Sequence, residues 1–408
     1  MKSLKVVVIG QGYVGLPLAM AIAEAGHEVI GFDLNQELIN RLNSGISHIE
    51  DVSDTILKNL LDKSKFRASF NPTDFSDSEI AIIAVPTPLD EKREPDVSYV
   101  ESASEILGKN LAKNALIINE STSYPGTLRD VIVPAVERSA PKGIAHLFAI
   151  SPERVDPGNE NWKIKNTPRL FAGLTSEAGK KTKSFYSSFC DSVIELTSPE
   201  TAEAAKLFEN TFRQVNIALV NEFSLICQKL GINVHEVLEG AASKPYGFMK
   251  FSPGIGVGGH CIPVDPTFLS FAANKVGADA RFIDLANEVN FEMPKKIVAE
   301  ISRKRNEKIE GKKILVVGIS YKSNIADVRE SPTLRLIQEL RDKGNEVFWH
   351  DPLVKNWNGE RSTNLTDVSN IDFTIVSILH DVIKQESIIK SESDVYDLTG
   401  KIEEAITF

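Results

Sequence analysis

The sequence predicts an α/β chain: two doubly wound parallel-sheet domains joined by an all-helical connector with one long central helix. Three observations carry this. The β-branched run 4–9 is followed at once by Gly10-Gln11-Gly12-Tyr13-Val14-Gly15 and a helical pattern. Residues 199–230 keep helical periodicity for about 30 residues with no internal Pro or Gly, far beyond the ~12-residue mean helix. Residues 343–351 then repeat the pattern of residues 25–33: a glycine, two polar residues, a strand, and an aspartate (Asp351 and Asp33) seven residues after the glycine. An echo of that kind marks a second domain of the same architecture.

In chain order, residues 4–9 read as a buried parallel strand, because consecutive apolar β-branched residues suit a strand covered on both faces. A helix at 16–25 closes at Gly26, and a second strand at 28–32 ends at Asp33. Strand, GxGxxG, helix, strand and acidic residue together form a dinucleotide-binding fingerprint of the Rossmann type. Gly10 permits the tight turn, Gly12 lets the backbone approach a pyrophosphate, and Gly15 allows close helix–strand packing; Tyr13 and Val14 lie in the same turn. Amides at the helix start favour phosphate. Asp33 would accept hydrogen bonds from ribose hydroxyls and repel a 2′-phosphate, so NAD is expected rather than NADP.

Strands at 79–85, 115–119 and 145–150 end in Pro86-Thr87-Pro88, Glu120-Ser121-Thr122 and Ser151-Pro152-Glu153-Arg154. Ligands of an open α/β sheet bind beyond these strand ends. Pro86, Thr87 and Thr122 are therefore candidate cofactor contacts, although ordinary turn chemistry suits Pro and Thr as well. Glu153 is a candidate general base, with an ion pair to Arg154 as the plainer account.

The long helix can be capped by Thr197 or Ser198 and is ended by Gly231. It suits a spine between domains and a dimer surface. Lys206 and Asn210 are four apart and share a face, where a cation and an amide can hold an oxygen that becomes negative. Further helices are read at 232–242, 266–276 and 281–304, with Pro294 as a kink or a helix start. Beyond them come a strand at 312–317, a helix at 333–342 and a strand at 372–379. The second copy lacks GxGxxG and carries Gly318-Ile319-Ser320-Tyr321-Lys322-Ser323-Asn324, then Asp327-Val328-Arg329-Glu330-Ser331. That favours a different ligand, with phosphate for Lys322 and an anion for Arg329; the structural alternative is an Arg329–Glu330 surface cluster. The expected division is 1–198, 199–304 and 305–408.

A net charge of −10 with no run of Lys and Arg argues against nucleic acid as a partner. Three widely spaced cysteines, Cys190, Cys227 and Cys261, give neither a disulfide framework nor zinc spacing, and no metal is expected. No signal-peptide pattern and no apolar run of ~18 residues is present, so a cytoplasmic protein with no membrane contact is expected. Cys261 stands apart from the other two. Gly254-Ile255-Gly256-Val257-Gly258-Gly259-His260 leads into it and Asp265 follows four residues on. Such a run can bring backbone amides against a bulky ligand and deliver a nucleophilic thiol to it.

Together these motifs resemble the UDP-glucose/GDP-mannose dehydrogenase family over nearly the whole chain. The matching residues are the Gly10–Gly15 turn, Ser121-Thr122 with Pro125-Gly126-Thr127, Pro152-Glu153, Lys206 with Asn210, Gly258-Gly259-His260-Cys261 with Asp265, and Lys322 with Asp327-Val328-Arg329-Glu330-Ser331. The resemblance implies Cys261 as nucleophile, Glu153 as base of a hydrolytic step, Lys206 and Asn210 as oxyanion stabilisers, Asp265 as the carboxylate beside the cysteine, and Thr122 as a water-positioning hydroxyl. It implies a cofactor contact at Arg329 and a substrate contact at Lys322. Arg154, Gly256, Gly258, Gly259 and Tyr321 complete the expected substrate set, and a homodimer through the central helix is implied. The expected reaction is a four-electron oxidation of a UDP-sugar C6 alcohol to the acid, using NAD twice. Residues 151–159, 123–127 and 244–248 look like the UDP-N-acetylglucosamine 6-dehydrogenase branch, with UDP-N-acetylmannosamine and UDP-glucose as other sugars. A two-electron hydroxyacid dehydrogenase, or a non-catalytic NAD or nucleotide-sugar binder, are the readings from other classes.

Overall fold

The computed structural model describes residues 3–154, 159, 161–259, 261–365, 367, 370–389 and 393–407. Residues 155–158, part of the branch resemblance, and His260 lie outside the described residues. The strands are β1 Lys5–Ile9, β2 Glu28–Phe32, β3 Phe66–Ser69, β4 Ile80–Ile83, β5 Leu116–Asn119, β6 Leu147–Ile150, β7 Arg169–Gly173, β8 Val193–Glu195, β9 Lys313–Val317, β10 Glu346–His350, β11 Asn356–Trp357, β12 Glu360–Arg361, β13 Phe373–Val376, β14 Asp394–Asp397 and β15 Ile406–Thr407. The helices are α1 Gly15–Glu24, α2 Gln36–Asn43, α3 Asp54–Asp62, α4 Ser98–Asn110, α5 Val133–Ser139, α6 Ser176–Tyr186, α7 Pro199–Leu230, α8 Val234–Ala242, α9 Asp265–Lys275, α10 Arg281–Arg305, α11 Pro332–Asp342 and α12 Gln385–Ile389. The chain divides into two compact units, Met1–Glu209 with Phe271–Ala278, and Asn210–Ser270 with Asp279–Phe408.

The first unit is built on an eight-stranded sheet in the order β3-β2-β1-β4-β5-β6-β7-β8. The β1 pairs with β2 and β4 are parallel, whereas β7 runs antiparallel to β6. Val6 and Val8 enter the apolar cluster on one face, Val7 and Ile9 the cluster on the other. Both faces are covered, which is why β1 reads as an unbroken apolar run rather than an alternating one.

In the second unit a parallel sheet runs β10-β9-β13-β14-β15. Here β9 behaves as β1 does, with Ile314 and Val316 in one cluster and Leu315 and Val317 in the other. The chain thus has two Rossmann-like sheets with a helical stretch between them in sequence: among the described residues, 199–304 carry α7 to α10 and no strand. Ser198 caps α7 by accepting the Thr201 amide at 3.2 Å, and Gly231, at φ +70°, follows its end. Pro294 lies inside α10 and does not start a helix. No helix among the described residues is long and apolar enough to cross a membrane.

Candidate active site

In the first unit the nucleotide turn is set by close packing. A Cβ on Gly15 would lie 1.8 Å from the Gly10 carbonyl oxygen, so only glycine lets α1 start directly over the turn. Gly12 is different: a Cβ there meets nothing within 4 Å, and Gly12 and Tyr13 are exposed. The space a side chain would fill is the space a pyrophosphate needs, and no side-chain hydrogen bond caps the start of α1 among the described residues. Asp33 accepts the Gln11 amide at 2.9 Å and the Asn35 amide at 3.0 Å. Each carboxylate oxygen keeps a second lone pair for a ribose hydroxyl. The residues fit NAD. Pro86 is exposed and Thr87 buried at the end of β4; Thr122, beyond β5, is half-buried.

Glu153, just past β6, is held by Arg169 rather than by its neighbour. Arg169 Nη2 lies 2.9 Å from Glu153 Oε2, and Arg169 Nη1 lies 2.8 Å from Glu120 Oε2. The Tyr186 hydroxyl donates to the other oxygen of Glu120. Burial pushes Glu120 up to about 7 against the pull of Arg169. Arg154 donates only its backbone amide to Glu153, at 2.6 Å; its guanidinium is 2.7 Å from Glu209 and donates to the Pro168 carbonyl at 2.6 Å. The expected Glu153–Arg154 ion pair is therefore replaced by two separate pairs. Lys206 is half-buried on α7.

The second unit gathers three of the predicted residues. Asn210 on α7 donates to Asp265 Oδ2 at 2.5 Å, and Asp265, only 1 % exposed, donates its amide to the Cys261 carbonyl at 2.8 Å. Cys261 is exposed at the head of α9, whereas Cys190 and Cys227 are buried. The preceding glycines have a structural cause beyond the ligand approach first invoked for them. A Cβ on Gly259 would sit 2.8 Å from the Tyr321 ring, and one on Gly258 would sit 2.7 Å from Tyr321 Cβ. The loop thus lies flat on the segment after β9, where the Gly259 amide donates to the Arg329 carbonyl at 3.0 Å. Arg329 itself pairs with Asp327, its Nη2 at 2.6 Å, not with Glu330.

A cavity of about 210 Å³ opens at the carboxyl ends of β9, β13 and β14, lined among others by Gly256, Tyr321, Thr333, Ser377, Thr399 and Lys401. Lys322 is exposed. Asp351, at the position of Asp33, cannot take a ribose here. Its Oδ2 accepts the Ile319 and Ser320 amides at 2.9 and 3.1 Å, and its Oδ1 the Leu353 and Val354 amides at 2.9 and 3.0 Å. Burial alone would raise it, but His380 at 3.2 Å and these amides bring it down to about 2. The second copy has spent its aspartate on its own turn. Among the described residues no cluster of His, Cys, Asp or Glu could hold a metal.

Residues 4–190 match the NAD binding domain of the UDP-glucose/GDP-mannose dehydrogenase family, 200–292 its central domain and 315–402 its UDP binding domain. The chain is 34% identical to a UDP-N-acetyl-D-glucosamine 6-dehydrogenase of Pseudomonas aeruginosa, covering 99% of this chain and 98% of that one. It is 36% identical to a UDP-N-acetyl-D-mannosamine dehydrogenase of Pyrococcus horikoshii, over 95% and 93% of the two chains. The solved structure of a UDP-D-ManNAc dehydrogenase from Pyrococcus horikoshii superposes with a TM-score of 0.90 at 34% identity, covering 99% and 98%. Fold, turn and relatives define an NAD-dependent oxidoreductase. The chain belongs to the UDP-glucose/GDP-mannose dehydrogenase family.

Proposed function

We propose that this enzyme oxidises the C6 hydroxymethyl of a UDP-N-acetylhexosamine, UDP-N-acetylglucosamine first, to the uronic acid in two NAD-dependent steps. The observation that carries it is the exposed Cys261 at the head of α9, held beside a buried Asp265 that Asn210 clamps from α7. NAD supplies the hydride acceptor for each step. Cys261 captures the intermediate aldehyde as a thiohemiacetal, which on oxidation becomes a thioester. Glu153 deprotonates the water that cleaves it, Thr122 orients that water, and Lys206 with Asn210 stabilises the oxyanion. Gly10, Gly12, Tyr13, Val14, Gly15, Asp33, Pro86, Thr87 and Arg329 serve the cofactor. Arg154, Gly256, Gly258, Gly259, Tyr321 and Lys322 serve the substrate. Residues 1–198 form the NAD part, 199–304 the connector and 305–408 the nucleotide-sugar part, in the cytoplasm. UDP-N-acetylmannosamine is the second reading, favoured by the 36% identical relative. Assayed against UDP-N-acetylglucosamine, UDP-N-acetylmannosamine and UDP-glucose, the preferred sugar should yield two NADH per molecule. One NADH per sugar would favour a two-electron dehydrogenase, and ligand binding without turnover a sensor.

The same reading makes the enzyme a homodimer through α7. Phe208, Phe212, Leu219, Ile226 and Leu230 are all exposed on that helix. At 100° per residue they fall on one stripe about 40° wide. Leu219 is 64% exposed, so Leu219→Glu should fold yet sediment at half the wild-type mass. A wild-type protein that sediments as a monomer would sink the dimer.

A further inference from the structure

A general base has to be held in one direction and kept ionised, and β7 supplies the means. Because β7 runs antiparallel to β6, with Ala149 opposite Gly173 and Ile150 opposite Ala172, the same register carried outward sets Arg169 opposite Glu153. In the parallel neighbour, Asn119 pairs with Ile150, so Glu120 leaves β5 at the same edge of the sheet. Arg169 fills the space between the two carboxylates. Its side chain is 4% exposed, that of Glu120 0% and that of Glu153 12%.

The planar fork of a guanidinium fixes the direction of both carboxylates it bridges, whereas an ammonium is a point charge with rotatable donors. The anchor end is tight: Glu120 also takes the Tyr186 hydroxyl, and the Arg169 guanidinium lies 4.8 Å from the Tyr186 ring centroid. Among the described residues, Cys190, after α6, and Ser151, whose Oγ is 3.4 Å from Arg169 Nη1, are the other polar groups facing it. Neither carries a charge that competes with the two carboxylates.

We propose that Arg169 is the positioning residue of Glu153: anchored on Glu120, it aims the Glu153 carboxylate and keeps it ionised. The proposal rests on Glu153 being the base of the reaction proposed above. Arg169 touches no reacting atom, so its role shows in the titration of the reaction rather than in substrate binding.

The test is the pH profile of NADH formation with the preferred UDP-sugar, measured on the full-length protein. In Arg169→Lys, kcat should fall about 10-fold or more while KM changes less than about 3-fold, and the acid limb should move up by about one pH unit or more. The double variant Glu120→Gln/Arg169→Met removes the buried pair with similar volume, a change that buried ion pairs often tolerate. Its acid limb should also rise. Glu120→Gln alone, which leaves Arg169 to Glu153, should not raise it. Should Arg169→Lys fail to fold, the double variant decides. A folded variant lacking the guanidinium whose acid limb stays with the wild type overturns the proposal alone. A wild-type protein that reduces no NAD with any UDP-sugar overturns the functional reading, and this proposal with it.

Discussion

Cys261→Ser is expected to lower uronic acid formation by about 10³-fold or more, the scale on which losing a covalent nucleophile is felt. The thiol is the one exposed cysteine among the described residues; Cys190 and Cys227 are buried and cannot take its place. A serine hydroxyl stays protonated at neutral pH, where a thiol yields a useful fraction of thiolate. The loop should not notice the exchange. Among the described contacts that hold it, the Asp265 amide on the Cys261 carbonyl, the Asn210 bond to Asp265 and the Gly259 amide on the Arg329 carbonyl do not use sulfur. NADH release should therefore stop at or before one equivalent per site in a single-turnover experiment, with NAD binding intact. Acid produced at the wild-type rate by this variant would remove the covalent step. Cys227→Ala, at a thiol buried in the apolar cluster of Val220, Val234 and Leu238, is the control expected to leave turnover unchanged.

How much of this was legible in the sequence depended on whether the signal was local. The span of α7 was readable end to end, because a helical period without Pro or Gly is carried by neighbours in the chain. So was the place of Asp33 at the end of β2, though not its bond to the Gln11 amide. The convergence of Asn210 on Asp265 was half-visible: helical spacing fixed the face of α7, but not what that face would meet. Arg169 and Glu120 were missed because their meeting needs an antiparallel β7, and strand direction comes from long-range pairing. One hint was present: a charged residue opens the otherwise apolar Arg169-Leu170-Phe171-Ala172-Gly173, and a buried charge demands a partner. Of the two roles read for Pro294, a kink or a helix start, the second is excluded, since the residue lies inside α10, within the helix read at 281–304. The glycines before Cys261 were read as an approach to ligand; at Gly258 and Gly259 Tyr321 fills the space that the missing side chains leave, whereas a Cβ on Gly254 would meet nothing within 4 Å.

Glu203→Ala is expected to lose about 3 kcal/mol of stability or more, the scale for leaving three buried donors without their acceptor. Glu203 lies on α7, three residues before Lys206, and is 1% exposed. Its Oε2 accepts the Gly126 amide at 2.7 Å, and its Oε1 accepts the Leu128 amide at 3.0 Å and the Ser123 hydroxyl at 3.2 Å. Alanine would strand those donors, and the loop after Thr122 would lose its tie to the helix that carries Lys206. The same carboxylate makes stability depend on pH in a stated direction. Burial raises Glu203 to about 7 despite its three donors. The folded chain then binds this proton more tightly than the unfolded chain, where a glutamate titrates near ~4.3. Its contribution is full below about 4.3, declines as pH rises, and is gone above about 7, a total of about 4 kcal/mol. Glu120, raised to the same value in the same unit, adds to that slope. In urea unfolding Glu203 and Glu120 should lower stability at pH 8 relative to pH 5, against His27, His48 and His146, which burial holds below their ordinary value and which act in the opposite direction. In Glu203→Gln, which cannot titrate, the Glu203 part of the difference should vanish, so that stability at pH 8 relative to pH 5 rises above that of the wild type. An unchanged difference in that variant would show that Glu203 stays ionised across the range, its three donors outweighing its burial.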